Sequence, residues 1–195
     1  MKKLLCFALL PVLGLSLLSG CGKSSAENGE VIVYNWGEYI DPETLSLFEE
    51  ETGIKVVYDE YDTNETMYPK VEAGASAYDV ICPSDYMIQK MIDNDLLAEI
   101  NFDNIPNLKN IGQQYFEQSK EFDPENKYSV PYCFGTVGIL YNKTMVSGPI
   151  DSWSVLWDEQ YADNILMQDS VRDAFMVALK LNGYSMNTLD ETELQ

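Results

Sequence analysis

The first half of the chain alternates short β-branched runs with stretches in which apolar residues recur at helical spacing. The β-branched runs predict three strands, Val31–Asn35, Ile54–Asp59 and Tyr78–Cys82. Asp41, followed by proline, predicts a helix N-terminus, and Gly53 predicts the end of that helix. Further helices are predicted near 65–73 and 85–94, and we expect Pro69 to shorten or kink the first. Because parallel neighbours need crossover helices, the alternation predicts an α/β fold with a mostly parallel sheet covered on both faces.

The second half has weaker periodicity. Residues 101–127 are polar with two prolines, and they predict short helices joined by loops. Apolar runs predict three further strands, Tyr128–Cys133, Thr136–Tyr141 and Ile165–Gln168. Ser152 predicts the cap of a short helix, and an apolar face that starts at Val171 predicts a longer helix ending at Gly183.

This pattern divides the chain into two lobes. Residues 30–136 are predicted to form a first α/β lobe, and residues 137–195 are predicted to begin a second one. Two strands and two helices make a thin core for an independent lobe. We therefore expect the second lobe to be incomplete, and the chain to be truncated or completed by a missing second half.

The N-terminal 21 residues have the pattern of an export signal. Two lysines precede an apolar run that is too short to span a bilayer comfortably, so residues 1–20 predict a secretory signal peptide. Cys21, directly after the small-residue cleavage site, resembles the lipobox of bacterial lipoproteins. This resemblance implies a lipidated Cys21, a polar tether over 21–29 and a place on the extracytoplasmic face of the cell membrane or in the periplasm. A plain cleaved signal, with an incidental cysteine, is the alternative.

Charge and composition exclude several functions. The chain carries 32 Asp and Glu against 12 Lys and Arg, a formal net charge of −20, so we expect no nucleic-acid partner. It contains no histidine, which excludes Ser-His-Asp and Cys-His nucleophile systems and H-E-x-x-H zinc sites. Cys82 and Cys133 allow one disulfide, although two buried thiols are the favoured interpretation. We expect neither a metal nor a cofactor.

Aromatic and acidic side chains follow three of the predicted strands. They are Trp36 and Tyr39, then Ser84, Asp85 and Tyr86, and finally Ser170 and Asp173. Ligands of open α/β sheets bind beyond the carboxyl ends of the strands, and aromatic faces with carboxylates suit an organic ammonium group. Five of these residues also have a structural interpretation: Trp36 as part of the core, Ser84 and Asp85 at a helix N-terminus, Ser170 and Asp173 as a capping box.

Several runs in the chain together resemble one protein family. They are Tyr34–Tyr39, Glu50–Val56, Asn64–Tyr68, Tyr78–Val80 with Pro83–Ser84, and Tyr128–Tyr132. In this order they are similar to the spermidine/putrescine-binding proteins of bacterial ABC importers. The resemblance implies a periplasmic-binding-protein-like fold of type II, in which two α/β lobes close on a polyamine as a clamshell. The first lobe would be essentially present here, and the second truncated.

The resemblance also implies which side chains contact the ligand. The matching positions in the first lobe are Trp36, Tyr39, Ser84 and Tyr86. Gly37 stands where family members can carry a hydroxyl group, and it lacks that contact. In the second lobe, Ser170 and Asp173 stand where family members can present two acidic ligands. Charge recognition of one amine is therefore expected to be weakened or moved to Asp85.

The implied function is that of a lipid-anchored, monomeric receptor that captures an extracellular polyamine and delivers it to an ABC permease. It is not expected to be an enzyme. Two other classes stay open: a receptor for a neutral sugar or a metal complex, and a secreted hydrolase that uses a pair of carboxylates. Carboxylates beside aromatic rings favour an amine over a sugar.

Overall fold

Three parallel strands form the sheet from which the fold is built. Strand β1 is Glu30–Trp36, β2 is Lys55–Tyr61 and β3 is Val80–Ile81, in the order β2-β1-β3. The register of β1 on β2 runs from Glu30 beside Lys55 to Trp36 beside Tyr61. The predicted parallel arrangement and all three strands are confirmed, although β3 is only two residues long. The carboxyl ends of the strands consequently lie at one edge of the sheet.

Three helices follow these strands, as predicted. Helix α1 is Pro42–Thr52, α2 is Asn64–Glu72 and α3 is Asp85–Asp93. The Asp41 side chain caps α1 by accepting from the backbone N–H of Glu43 at 3.0 Å. Gly53 ends α1 in the left-handed region, at φ 69°. Pro69 lies inside α2 and does not end it.

The core beside the sheet is built from tyrosines and methionines. Its buried side chains are Tyr34, Tyr61, Met67, Tyr68, Met87 and Met91. They come from β1, β2, α2 and α3, so the sheet and these two helices share one core. The Tyr34 and Tyr61 rings meet edge to face, with centroids 4.9 Å apart, which is a favourable geometry for aromatic pairs.

The structure is a computed structural model that describes residues 28–74 and 77–195. The chain divides into two compact units. The first holds the described residues up to Ile100 together with Phe122–Tyr128, and the second holds Asn101–Glu121 and Ser129–Gln195. The lobe boundary expected between residues 136 and 137 stays a prediction beside this division.

The second unit is helical where it is regular. It contains short 3-10 helices at Phe102–Asn104, Pro106–Asn110, Trp153–Trp157 and Glu159–Tyr161. Helix α4 is Gln113–Ser119, and helix α5 is Val171–Leu181, whose buried side chains are Met176, Val177 and Leu179. The short helices of 101–127 and the long helix after Ser170 are confirmed.

The three strands predicted in the second half are wrong. Tyr128–Cys133, Thr136–Tyr141 and Ile165–Gln168 have irregular backbone, and Leu140 is fully exposed. A β-branched run becomes a strand only when a neighbouring strand accepts its backbone hydrogen bonds, and none of these three runs takes a place in the sheet. Cys133 is exposed and Cys82 is half-buried, so the expectation of two buried thiols is wrong for Cys133.

The predictions for the N-terminus concern a part of the chain without structural description. The signal peptide 1–20, the lipidated Cys21 and most of the tether 21–29 lie outside the described residues. None of the described helices has the length and apolar character that crossing a membrane requires.

Candidate functional site

Three aromatic rings meet at the carboxyl ends of β1 and β2. Trp36 is the last residue of β1, and its ring lies 4.8 Å from the ring of Tyr61, the last residue of β2. Tyr39 follows in the turn after β1, and its ring is 5.9 Å from Trp36. Trp36 is half-buried and Tyr39 is 47% exposed. The group therefore has a buried base and a solvent-facing side, which offers ring faces to a ligand.

Tyr61 joins this aromatic group to the end of β3. Its phenol donates a hydrogen bond to the backbone carbonyl of Cys82, the residue after β3. Burial raises the pKa of the Tyr61 phenol, and nearby Cys82 and Tyr34 raise it further. The ring is thus held as a neutral phenol that fixes the positions of two strand ends.

A second group of polar side chains lies where α2 and α3 begin. The buried Asn64 donates from Nδ2 to Ser84 Oγ and to the Tyr86 phenol oxygen, each at 3.0 Å. Its Oδ1 accepts from the backbone N–H of Ser84 at 3.2 Å. The Tyr86 phenol donates to Glu65 Oε1 at 2.9 Å. One buried amide thereby brings together Ser84 and Tyr86, two of the residues predicted to contact a ligand.

The sequence left two roles open for Ser84 and Asp85, capping of α3 and contact with a ligand. Their hydrogen bonds differ in this respect. Ser84 stands at the N-cap of α3, yet its hydroxyl makes no capping bond there and accepts from Asn64. The Asp85 carboxylate is exposed and accepts from the backbone N–H of Tyr86 at 2.7 Å. The hydroxyl thus belongs to the polar group, whereas the Asp85 carboxylate bonds the start of its own helix.

Gly37 lies beside a carboxylate that was not among the predicted ligand residues. A Cβ on Gly37 would stand 4.0 Å from Glu60 Oε2, at the end of β2. Glu38, between Gly37 and Tyr39, adopts φ 61°, a left-handed conformation that is unusual for a non-glycine residue. This turn carries the chain back so that Tyr39 meets Trp36.

Ser170 and Asp173 lie in the second unit, at the start of α5. Ser170 is the N-cap, and its Oγ accepts from the backbone N–H of Asp173 at 3.4 Å. This contact corresponds to one half of a capping box. Both side chains are half-buried, and Asp173 is the acidic residue of the first helical turn. Their capping interpretation is therefore supported, and their role as ligands stays a prediction.

Sequence reasoning missed four residues of this edge: Glu60, Tyr61, Asn64 and Glu65. The predicted second strand stopped at Asp59, two residues before its true end, so its strand-end residues were not considered. The signal that could have found Glu60 and Tyr61 was the same one that found Trp36, a polar or aromatic residue at the carboxyl end of a strand. Asn64 and Glu65 also stood inside a run already quoted for the resemblance.

The charge at the sheet edge is negative. Glu60, Glu65 and Asp85 are exposed carboxylates, and none belongs to the three ion pairs found within residues 28–74 and 77–195. No group of three or more Cys, Asp or Glu in these ranges is arranged to hold a metal ion. Ring faces, hydroxyl oxygens and unneutralised carboxylates together are suited to an organic cation.

A parallel α/β unit with aromatic and polar side chains at its strand ends has the arrangement in which open α/β sheets bind ligands, as in binding proteins of the periplasmic-binding-protein class. The family of bacterial extracellular solute-binding proteins matches residues 44–194. The chain belongs to this family.

Three similar proteins illustrate the relationship. The chain is 38% identical over 173 residues to the spermidine/putrescine-binding periplasmic protein of Salmonella typhimurium, covering 88% of this chain and 49% of that protein. The crystal structure of the spermidine/putrescine ABC transporter substrate-binding protein PotD from Streptococcus pneumoniae is 44% identical with a TM-score of 0.70, and covers 85% and 51% of the two chains. The TpPotD lipoprotein of Treponema pallidum is 35% identical with a TM-score of 0.79, at the same coverage of 85% and 51%. The chain spans about half the length of the curated relatives it matches.

Proposed function

We propose that this chain is part of a polyamine receptor, a non-enzymatic binding protein that delivers spermidine or putrescine to an ABC permease. The observation that carries the proposal is the set of rings and oxygens at one sheet edge, in a chain 38% identical to a protein named for binding these amines. The relatives' names supply the ligand class, and the chemistry of the edge suits it.

The aromatic group is proposed to bind the apolar and cationic parts of the amine. Trp36 and Tyr39 offer ring faces, and a cation over such a face gains about 0.5–2 kcal/mol, depending on desolvation. The same rings form apolar walls for the methylene chain between two ammonium groups. Gly37 has no side chain to fill the space beside this group, and the Glu60 carboxylate lies next to that space.

The polar group is proposed to bind an ammonium head. Ser84 and Tyr86 present oxygen atoms that accept N–H bonds, and Asp85 adds negative charge from the start of α3. Charge-assisted bonds of this kind are about twice as strong as neutral ones. In the second unit, Ser170 and Asp173 are also proposed as ligands of an ammonium group, with capping of α5 as their additional role.

The place of action is proposed to be the outer face of the cell membrane or the periplasm. Cys21 is proposed to carry a lipid anchor, and the receptor is proposed to act as a monomer. Wild-type protein expressed in a bacterium should partition into the detergent phase of Triton X-114, and Cys21→Ala should stay in the aqueous phase. Aqueous partitioning of both proteins would remove the anchor from the proposal.

The function is tested by calorimetric titration of the full-length protein with spermidine, putrescine and a neutral disaccharide. Heat and a raised melting temperature with an amine, and neither with the sugar, are the expected results, because a ligand that binds only the folded state stabilises it. Binding of the sugar alone would favour the sugar receptor instead. Release of product from any of the three would indicate an enzyme and contradict the proposal.

A further inference from the structure

Asn64 is the buried centre of the polar group. It is 2% exposed, and both of its Nδ2 bonds go to hydroxyl oxygens, those of Ser84 and Tyr86. An amide nitrogen has two protons to donate, so the two bonds account for both. Towards Asn64, therefore, the hydroxyl groups of Ser84 and Tyr86 act as acceptors.

Glu65 fixes the direction of the Tyr86 proton. Because Asn64 donates to the phenol oxygen, the phenol proton goes to Glu65 Oε1, 2.9 Å away. A carboxylate that accepts from a hydroxyl polarises it and enriches the electron density on its oxygen. A phenol held in this way turns its proton towards Glu65, so its oxygen faces a cation as an acceptor and not as a donor.

We propose that Asn64 and Glu65 are positioning residues of the ammonium site, which orient the oxygens of Ser84 and Tyr86 as acceptors for a protonated amine. This inference rests on the proposed polyamine function. Glu65 acts through Tyr86. It supplies the negative charge near the ammonium group that was predicted from the sequence to come from Asp85. The Asp85 carboxylate instead bonds the backbone of its own helix start.

Helix α2 contains a matched control for Glu65. The Tyr68 phenol donates to Glu72 Oε1 at 2.8 Å, so this second pair has the same chemistry. Glu72, like Glu65, is exposed, but it stands at the other end of α2. Substitution of either glutamate removes one negative charge and one phenol hydrogen bond, and only Glu65 is bonded to a proposed ligand residue.

The experiment measures spermidine affinity by calorimetry in the full-length protein. Glu65→Ala is expected to weaken binding about tenfold, because Tyr86 loses its charged acceptor. Glu65→Gln, which keeps a neutral acceptor oxygen, is expected to lose less. Glu72→Ala is expected to bind within about twofold of wild type. Melting temperatures of all variants establish that each is folded.

A double-mutant cycle with Tyr86→Phe separates positioning from direct contact. If Glu65 acts through the phenol, Glu65→Ala costs less than about twofold once that phenol is gone. Independent losses in the cycle, or unchanged affinity of Glu65→Ala in the wild-type background, would overturn the inference while leaving the receptor function intact. If the unsubstituted protein binds neither spermidine nor putrescine, the proposed function and this inference both fail.

Discussion

Trp36 belongs to the core and to the surface at the same time. Its ring packs against the buried Tyr61 and against the core cluster, while the side chain stays partly exposed and meets the ring of Tyr39. The sequence offered core packing and ligand contact as alternatives, and the geometry is compatible with both. Its position could be predicted because a strand end marks it. The Asn64 network could not, because nothing local in the sequence pairs an asparagine with hydroxyls 20 and 22 residues away.

Replacing Trp36 separates the ligand contribution of the ring from its packing. Trp36→Ala is expected to weaken spermidine binding by at least about 1 kcal/mol, since a cation–π face is lost. Trp36→Phe keeps a smaller ring and should lose less. The exposed Trp157, in the second unit, provides the comparison, and Trp157→Ala should bind normally. Calorimetry with spermidine measures all three, and unchanged affinity of Trp36→Ala would assign the ring to packing alone.

Tyr61 predicts a dependence of stability on alkaline pH. Its pKa is raised in the folded protein, so the folded state holds the phenol proton more tightly than the unfolded chain. This contribution is complete below the ordinary tyrosine pKa of about 10 and is lost as pH rises towards the folded value. Urea unfolding at increasing pH should show that the free energy of unfolding falls once the pH exceeds the ordinary tyrosine pKa of about 10.

The variant Tyr61→Phe checks the source of this dependence. It should lower stability at neutral pH by about 1 kcal/mol, through loss of the bond to the Cys82 carbonyl, and should flatten the alkaline decline. If the decline has the same slope in the variant, another group is responsible.

Among the elements, capped helices were predicted best. Helix α1 begins after Asp41 and ends before Gly53, as predicted. Both ends could be predicted because a side-chain cap and a left-handed glycine depend only on residues that are close in sequence. Strands depend on partners that sequence does not specify. The run Lys55–Tyr61 contains three charged residues and pairs with β1 throughout, whereas the more apolar run Thr136–Tyr141 pairs with no strand among the described residues.

Gly53 is the helix end at which a substitution has the most clearly defined cost in folding free energy. A Cβ at φ 69° clashes with the backbone, so Gly53→Ala should lower the free energy of unfolding by about 1 kcal/mol. Gly135 has no neighbouring atom within 4 Å of a built Cβ and no left-handed φ. Gly135→Ala should therefore change stability little. Denaturant midpoints compare the two, and equal effects would contradict a conformational cause.

At the scale of the whole molecule, charge and fold act together. The chain has a formal net charge of −20 and its strand ends carry exposed carboxylates, which together favour the approach of a polycation. The negative field could be predicted directly from the composition. The division of the chain could not: Phe122–Tyr128 belongs to the first unit, although the preceding Asn101–Glu121 belongs to the second. Such long-range grouping depends on packing that no local pattern encodes.

The field predicts a graded salt effect on amine binding. Spermidine carries three positive charges and putrescine two at neutral pH, so raising ionic strength from about 0.01 M to about 0.15 M should weaken spermidine binding more steeply. Titrations of both amines across this range measure the slopes. Equal slopes would show that contacts at the site, rather than the molecule's field, govern capture.

Strand β2, at one edge of the sheet, also bears on how the protein behaves when concentrated. An open strand edge invites another polypeptide to add a strand, which starts fibrils, and charged side chains along it discourage this. Lys55, Asp59 and Glu60 are exposed along β2, so we expect Glu60, the residue that lies beside Gly37, to contribute to this protection. A substitution of Glu60 that is meant to alter ligand preference thus carries a risk of aggregation. Light scattering of such a variant would measure it.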